Sequence, residues 1–360
     1  MRQASYGIRI VVVTLGIVST AWGQSAESKT AEQIYKNITQ LKSTPADQLG
    51  PAMQFIAVSL GVECNFCHVQ GKMEADDKPA KKIARQMMAM MAAINKDSFS
   101  GRQEVTCYSC HHGSAHPAGT PPVQDSDAPA RPEAHPAIPT AGSTPAVEII
   151  DKYVAALGGS DAIHNVTSRV MKGAILVGGT ETPIDLVTKA PNKRISITHM
   201  GNRESITAFD GTSGWLGSTG RPPRVMSASE SWAAGLDAEF YLATRIQEIF
   251  PQLRVGRPET IAGTDCNVVI GVSPGTPPVR LYFDKGTGLL VRLVRYAETP
   301  LGRMPTQIDY ADYRDAGGAK IPYRWTLSRP NGRFTIQVAE VKANVPIDDQ
   351  KFAKPADEVK

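Results

Sequence analysis

The sequence predicts two domains, an all-α domain followed by a mainly antiparallel β domain of an open-barrel-like α+β class. Three observations lead to this fold class. Apolar residues recur at helical spacing within the first hundred positions, a proline-rich segment covers 117–145, and a series of short strand-like stretches separated by turn signals follows it. The length of 360 residues suits two domains, since a typical domain has about 100–200 residues.

The chain begins with the features of an export signal. Arg2 and Arg9 supply positive charge, residues 10–18 form a short apolar core, and 21–23 resembles a small-x-small cleavage site. The apolar run is shorter than the ~20 residues of a membrane-spanning helix, which favours a cleaved signal over an anchor. We therefore expect residues 1–23 to be a signal peptide and the mature protein to be periplasmic, either free or associated with a membrane.

Two helices are predicted in the first domain, residues 24–116. Pro51 suits the first turn of a helix over 51–60, and Gly61 suits its end. A second helix is expected to begin near Pro79 and to run to about Asn95, with its apolar residues along one side. It carries four methionines within five residues: Met87, Met88, Met90 and Met91.

Each of these helices precedes a Cys-x-x-Cys-His motif, Cys64–His68 and Cys107–His111. This pentad is the attachment signature of c-type heme. The histidine beside the second thiol is placed to ligate the iron, which makes His68 and His111 the expected proximal ligands. The cysteines expected to form thioethers with the two porphyrins are Cys64, Cys67, Cys107 and Cys110.

Two other interpretations of the cysteines stay open. Four cysteines in an oxidising compartment can pair as two disulfides. Two Cys-x-x-Cys pairs can also hold zinc, although 39 residues separate Cys67 from Cys107, beyond the usual spacing of about 15–20. Neither interpretation explains why a histidine follows both pairs. Cys266, the fifth cysteine, is interpreted as a buried, inert thiol.

Residues 117–145 contain eight prolines and almost no bulky apolar side chains. Such a segment cannot bury enough surface to fold, so it is predicted to be an extended linker between the domains. The second domain, 146–360, is expected to open with a helix that starts at Thr144-Pro145.

The rest of the second domain is predicted to be β-rich, interrupted by a single helix over 229–249. Turn signals such as Asp210-Gly211 and Asn331-Gly332 separate the stretches. The predicted strands are Arg169–Val177, Thr182–Thr188, Arg194–Thr198, Ser205–Phe209, Val268–Ile270, Val279–Phe283, Leu289–Tyr296, Thr306–Tyr310, Tyr323–Ser328 and Arg333–Val341.

Composition narrows the function classes. The formal charge of +4 is small for this length and comes without a basic tract, which argues against a nucleic-acid partner. Within the sequence there is also no recognisable arrangement of nucleophile, base and acid, so the expected function is electron transfer and not catalysis. A diheme enzyme of the peroxidase kind, with one open iron, is the alternative.

Residues 31–113 resemble the cytochrome c subunit of photosynthetic reaction centres. The resemblance rests on the helix and motif start at 53–64, the methionine-rich helix at 83–95, and the second motif at 105–113. In that family a methionine on each helix ligates the heme of the motif downstream, which implies Met53 for the first heme and Met87 for the second. The alternative is that these methionines are core residues, as flexible methionine often is.

The resemblance also implies redox partners. A membrane reaction centre is one such partner. However, the reaction-centre cytochrome subunit carries four hemes, whereas this sequence has two motifs. A two-heme carrier that serves a respiratory complex is therefore the other expectation. The second domain is similar, by pattern only, to the periplasmic lipoprotein-carrier and outer-membrane lipoprotein-sorting fold. That similarity implies either a lipid or quinone ligand or a scaffold without one.

Overall fold

The computed structural model describes residues 29–117 and 144–355. The predicted signal peptide and nearly all of the predicted linker lie outside these ranges. The helices of the described residues are α1 (Ala31–Ile34), α2 (Leu49–Leu60), α3 (Cys64–Cys67), α4 (Pro79–Phe99), α5 (Cys107–His111), α6 (Ala146–Ala156), α7 (Ser160–His164), α8 (Ala228–Ala238) and α9 (Leu242–Ile249), with 3-10 turns at Ala46–Gln48 and Asp349–Phe352.

The N-terminal region is helical, as predicted. Helix α2 ends where Gly61 takes a left-handed conformation with φ of 65°, which a residue without a Cβ adopts at little cost. Helix α4 begins with Pro79 in its first turn and runs four residues past the predicted end. The two helices share a small core made of Ala52, Phe55, Ile56 and Met91.

The second region is one antiparallel sheet of fourteen strands. Its neighbours run in the order β6-β5-β4-β3-β2-β1-β14-β13-β12-β11-β10-β9-β7, and β8 pairs with β9 beside this path. The strands are β1 (Ser168–Val177), β2 (Thr180–Lys189), β3 (Lys193–Met200), β4 (Arg203–Phe209), β5 (Gly214–Ser218), β6 (Arg221–Val225), β7 (Gln252–Val255), β8 (Glu259–Ile261), β9 (Thr264–Val272), β10 (Val279–Asp284), β11 (Leu290–Thr299), β12 (Gly302–Asp315), β13 (Lys320–Arg329) and β14 (Gly332–Ala343).

All ten predicted strands are present, with bounds that differ by a few residues at the ends. The four strands that were not predicted, β5, β6, β7 and β8, are short. Two prolines in β6 obscured its signal, because proline cannot donate to a ladder hydrogen bond. Such residues are tolerated here because β6 lies at the edge of the sheet.

The single helix predicted over 229–249 is wrong, since the structure has two helices, α8 and α9, separated at residues 239–241. The break has a tertiary cause. The Phe240 amide donates to the Pro191 carbonyl at 2.9 Å and so leaves the helical pattern. Helices α6, α8 and α9 pack on strands β9 to β12 and enclose the main core, where Ile246, Phe250 and Leu281 are fully buried.

The turn between β11 and β12 contacts the helical region. Leu301, 2% exposed, packs into the cluster that contains Phe55 and Met91. Gln103 donates a side-chain hydrogen bond to the Pro300 carbonyl at 2.8 Å. The two regions therefore meet directly as well as being joined by the chain. None of the helices in the described ranges combines the length and the apolar character needed to cross a bilayer.

Candidate functional site: two heme-attachment motifs

The first motif forms its own short helix, α3, directly after α2. The His68 ring lies at the end of this helix, and its Nδ1 is 2.9 Å from the Met73 carbonyl oxygen. A carbonyl oxygen only accepts, so Nδ1 donates this hydrogen bond and Nε2 is the nitrogen left available to a metal. This is the arrangement that prepares a histidine to bind a metal through Nε2.

The loop that supplies this carbonyl, residues 69–78, is held by α4. Buried Lys81 donates to the carbonyls of Met73 and Ala75 at 2.9 and 2.8 Å and lies 3.1 Å from the Asp76 carboxylate. Arg85 binds both oxygens of Asp76 at 2.9 Å, and this hydrogen bonding holds the pKa of that carboxyl well below its usual range. The position of the His68 acceptor thus depends on two cations of α4.

Replacing Lys81 with methionine is expected to lower the free energy of unfolding of the helical region by roughly 2–4 kcal/mol, because two carbonyls lose their donor. Lys82→Met is the matched control: Lys82 is exposed and should change stability by less than about 0.5 kcal/mol. Urea unfolding followed by far-UV circular dichroism measures both. Equal stability of the two variants would contradict the role given to Lys81.

The second motif is positioned by a buried asparagine near the end of α4. Asn95 donates to the Val105 carbonyl at 2.7 Å, and its Oδ1 accepts from the amides of Glu104 and Val105 at 3.1 and 2.9 Å. The His111 Nδ1 lies 2.9 Å from the Ser114 carbonyl oxygen. Both predicted proximal histidines therefore donate from Nδ1 to a backbone carbonyl and leave Nε2 available.

The two motifs are joined where α2 ends. The Gly113 amide, two residues after His111, donates to the Ser59 carbonyl at 2.9 Å. A Cβ added at Gly61 would lie 2.1 Å from the Gly113 carbonyl oxygen, so only glycine allows the two backbones to approach this closely. Because Gly61 precedes Cys64 by three residues, this contact places the second motif beside the start of the first.

An apolar cavity of about 950 Å³, part of it open to solvent, lies between α4 and the second motif. One face of α4 lines it with side chains at helical spacing that stay exposed: Ile83 (54%), Met87 (39%), Met90 (48%) and Ile94 (36%). Cys107, Cys110 and His111 line the other side, and Cys67 of the first motif borders it. The lining is mostly apolar, with three thiols and the imidazoles of His111 and His116, which suits a porphyrin.

The structure brings Met87 and His111 to the same cavity but places Met53 elsewhere. Met53 packs against the cluster of Ala52, Phe55 and Leu301. Burial raises the pKa of the Cys67 and Cys107 thiols. Among the described residues the five cysteines are unpaired, and no three His, Cys, Asp or Glu side chains form a group that could hold a metal ion. Cys266 is fully buried, as predicted.

A second cavity lies inside the β region. It measures about 1590 Å³ including its solvent-open part, and strands β1, β2, β3, β13 and β14 together with α8 line it. Most of its lining is apolar or aromatic, including Leu186, Trp325 and Ile336. The sequence pattern indicated a ligand-binding fold but not the residues that line this cavity, because they come from strands distant in sequence.

The helical region is similar to a known protein family. Residues 14–149 match the family described as the photosynthetic reaction centre cytochrome C subunit. Over 93 residues the chain is 33% identical to the photosynthetic reaction center cytochrome c subunit of Thermochromatium tepidum. The predicted resemblance is confirmed. The N-terminal region is similar to an electron-transfer cytochrome family, whose members carry covalently bound heme. The match covers 24% of this chain and spans 22% of the curated relative's length.

The β region is similar to solved structures of low sequence identity. One is an outer membrane lipoprotein-sorting protein domain from Vibrio parahaemolyticus, with 10% identity and a TM-score of 0.41 over 58% of this chain and 96% of that one. Another is a LolA superfamily protein from Nitrosomonas europaea, with 14% identity and a TM-score of 0.41 over 59% of this chain and 99% of that one. The sequence analysis named the same lipoprotein-carrier and lipoprotein-sorting fold.

Proposed function

We propose that the chain is an exported electron-transfer protein that carries two covalent c-type hemes, one on each Cys-x-x-Cys-His motif. The observation that carries the proposal is the hydrogen bond from each motif histidine to a backbone carbonyl, Met73 for His68 and Ser114 for His111. Nothing in a disulfide pair requires such a hydrogen bond, whereas a metal-ligating histidine almost always donates its second nitrogen.

The residues proposed to hold the porphyrins are Cys64 and Cys67 in the first motif and Cys107 and Cys110 in the second, with His68 and His111 as proximal ligands. Met87 is proposed as the distal ligand of the second heme, and its place on the cavity face of α4 supports this. Met53 is proposed as the distal ligand of the first heme because it lies in the segment 53–64, which resembles the reaction-centre cytochrome family.

Heme supplies one-electron chemistry, and methionine–histidine ligation raises its reduction potential. The chain's own residues give each site an imidazole whose Nδ1 donates to a backbone carbonyl, and they give the second site an apolar wall. Since Gly61 and Gly113 hold the motifs together, an electron is expected to pass between the two sites and then to a protein partner. The chain is accordingly proposed to be a carrier and not an enzyme.

The proposed location is the periplasm, after cleavage of the signal at residues 1–23. The proposed partners are redox proteins, with a membrane reaction centre or a respiratory complex as the final acceptor or donor. The similarity of residues 14–149 to the reaction-centre subunit supports a membrane-bound partner.

The first test is the intact mass of the exported protein. We expect the mass of the polypeptide from residue 24 onward plus two hemes, because a thioether-bound heme survives denaturation. Cys64→Ala with Cys67→Ala should remove one heme, and Cys107→Ala with Cys110→Ala should remove the other. The control, Cys266→Ala, should keep both, since this thiol is buried in the β region far along the chain.

The second test compares the visible spectrum of the reduced protein with and without carbon monoxide. An unchanged spectrum is expected, because both irons are proposed to be closed by methionine. A shift of one heme would instead support the diheme enzyme of the peroxidase kind. A mass without heme would overturn the proposal altogether.

A further inference from the structure

The turn between β11 and β12, residues 299–302, projects from the β region toward the helices, and we call it the tip. Thr299 pairs with Gly302 across the turn, so Pro300 and Leu301 form its end. The Thr299 hydroxyl donates to the Gly302 carbonyl at 2.7 Å, and the Leu301 amide donates to the Thr299 hydroxyl oxygen at 3.3 Å. These hydrogen bonds fix the turn, and its end presents the apolar Leu301 side chain to the helical region.

Leu301 is buried in a cluster that otherwise belongs mainly to the helical region. It is 2% exposed, and the other buried members of the cluster are Ala52, Phe55, Ile56 and Met91. A side chain at Gly302 would collide with the Phe55 ring, so glycine allows the tip to approach α2 this closely. The β region therefore fills a space that the helices leave between them.

The same cluster forms a wall of the cavity beside the second motif. Six residues belong both to the cluster and to the lining of that cavity: Ile56, Leu60, Met88, Met91, Val105 and Cys107. Protein interiors are close-packed, so a loss of volume behind such a wall is felt by the side chains that form it. The side-chain volume of Leu301 thus bears on the shape of the cavity.

A hydrogen bond also ties the segment before the second motif to the tip. The Gln103 side-chain amide donates to the Pro300 carbonyl at 2.8 Å. Gln103 lies four residues before Cys107, and Asn95 holds the two residues that follow Gln103 from the side of α4. The approach to the second motif is therefore held from two sides, by α4 and by the β region.

We propose that the tip is a positioning element for the second heme site, in which Leu301 supports the cavity wall and Gln103 fixes the approach to the motif. This rests on the proposed function, because it requires a heme on the second motif. The apolar shell around a heme controls solvent access and thereby its reduction potential. A wall that gives way admits water, which stabilises the more positively charged oxidised iron and lowers the potential. The β region thus acts on electron transfer at a site to which it contributes no iron ligand.

The test is a spectroscopic redox titration of the full-length, heme-loaded Leu301→Ala variant. We expect the midpoint potential of one heme to fall by about 59 mV or more, which is a tenfold change in a one-electron reduction equilibrium. The other heme should keep its potential. The same titration in a chain that also carries Cys64→Ala and Cys67→Ala, and so keeps only the second heme, should show the full shift.

Three further variants separate positioning from folding. Leu301→Met conserves the side-chain volume and should keep the parent potential. Leu281→Ala removes an equally buried leucine from the main core of the β region, so it should lower the urea midpoint of unfolding and leave both potentials unchanged. Gln103→Ala, at an exposed glutamine, should fold like the parent protein and shift the same potential in the same direction by a smaller amount.

Several outcomes would overturn the proposal. These are unchanged potentials in Leu301→Ala, an equal shift in Leu281→Ala, or a shift confined to the first heme. If Leu301→Ala does not fold, unchanged potentials in Gln103→Ala overturn it instead. Intact mass keeps the two proposals apart: two hemes with unmoved potentials would remove only the positioning role, whereas a mass without heme would remove the proposed function as well.

Discussion

Gly61→Ala should lower the free energy of unfolding of the helical region by roughly 3 kcal/mol, a large effect for one methyl group. Two causes act together. The residue has a φ of 65°, which disfavours any side chain, and the added Cβ would lie 2.1 Å from the Gly113 carbonyl oxygen. The obstacle is backbone and cannot move aside as a flexible side chain can, so α2 and the end of the second motif must separate.

Gly50→Ala is the matched control in the same helix. A Cβ at Gly50 has no atom within 4 Å, and its backbone is helical, so alanine should leave stability unchanged or raise it by up to about 1 kcal/mol. Urea unfolding of the full-length chain, followed by circular dichroism in the heme band, compares the two variants. Equal stability of Gly61→Ala and Gly50→Ala would show that the contact with Gly113 is unimportant.

The same variant should also change electron transfer. Separation of α2 from the second motif breaks the hydrogen bond from the Gly113 amide to Ser59, which is the link between the two attachment sites. Because the first motif begins three residues after Gly61, the distance between the two sites is expected to grow.

Local chemistry explains which parts of the fold, and which candidate site residues, the sequence predicts. A heme-attachment motif is contiguous in sequence. Cys64–His68 and Cys107–His111 can therefore be recognised as candidate motifs without any tertiary information. The end of α2 was predictable for a similar reason, because Gly61 is a local signal for a left-handed residue.

What could not be predicted depends on pairing between distant segments. Nothing near Arg169 in the sequence reveals that Thr188 and Arg194 lie beside it, since strand register decides this. The buried Lys81 and Asn95 were missed for the same reason. Both lie on α4 among polar residues, and only the loops that they hold show that they face inward.

The break between α8 and α9 shows tertiary structure overriding local preference. Residues 239–241 contain neither glycine nor proline, so the pattern predicts a continuous helix. The contact of Phe240 with Pro191 and the ion pair of Glu239 with Arg245 compete with that helix. The turn between β2 and β3 that supplies Pro191 is almost fifty residues away in sequence.

Met87→Ala should open the heme proposed for the second motif to carbon monoxide. Met87 lines the cavity that His111 also lines, and it is 39% exposed, so its loss leaves the core intact. Without the thioether the potential of one heme should fall by on the order of 0.1 V or more, because axial ligands set heme potentials over about 0.8 V. A reduced spectrum with and without carbon monoxide, together with a redox titration, measures both effects.

Two neighbouring methionines make this prediction specific. Met90 and Met88 both line the same cavity, but Met90 is 48% exposed, whereas Met88 also packs into the core beside Phe55 and Met91. Met90→Ala should therefore change neither carbon monoxide binding nor stability. Met88→Ala should lower stability by roughly 2 kcal/mol and leave the iron closed. If either of these variants opens the heme and Met87→Ala does not, the distal ligand of the second heme is that methionine, and the helical face assigned to the iron is wrong.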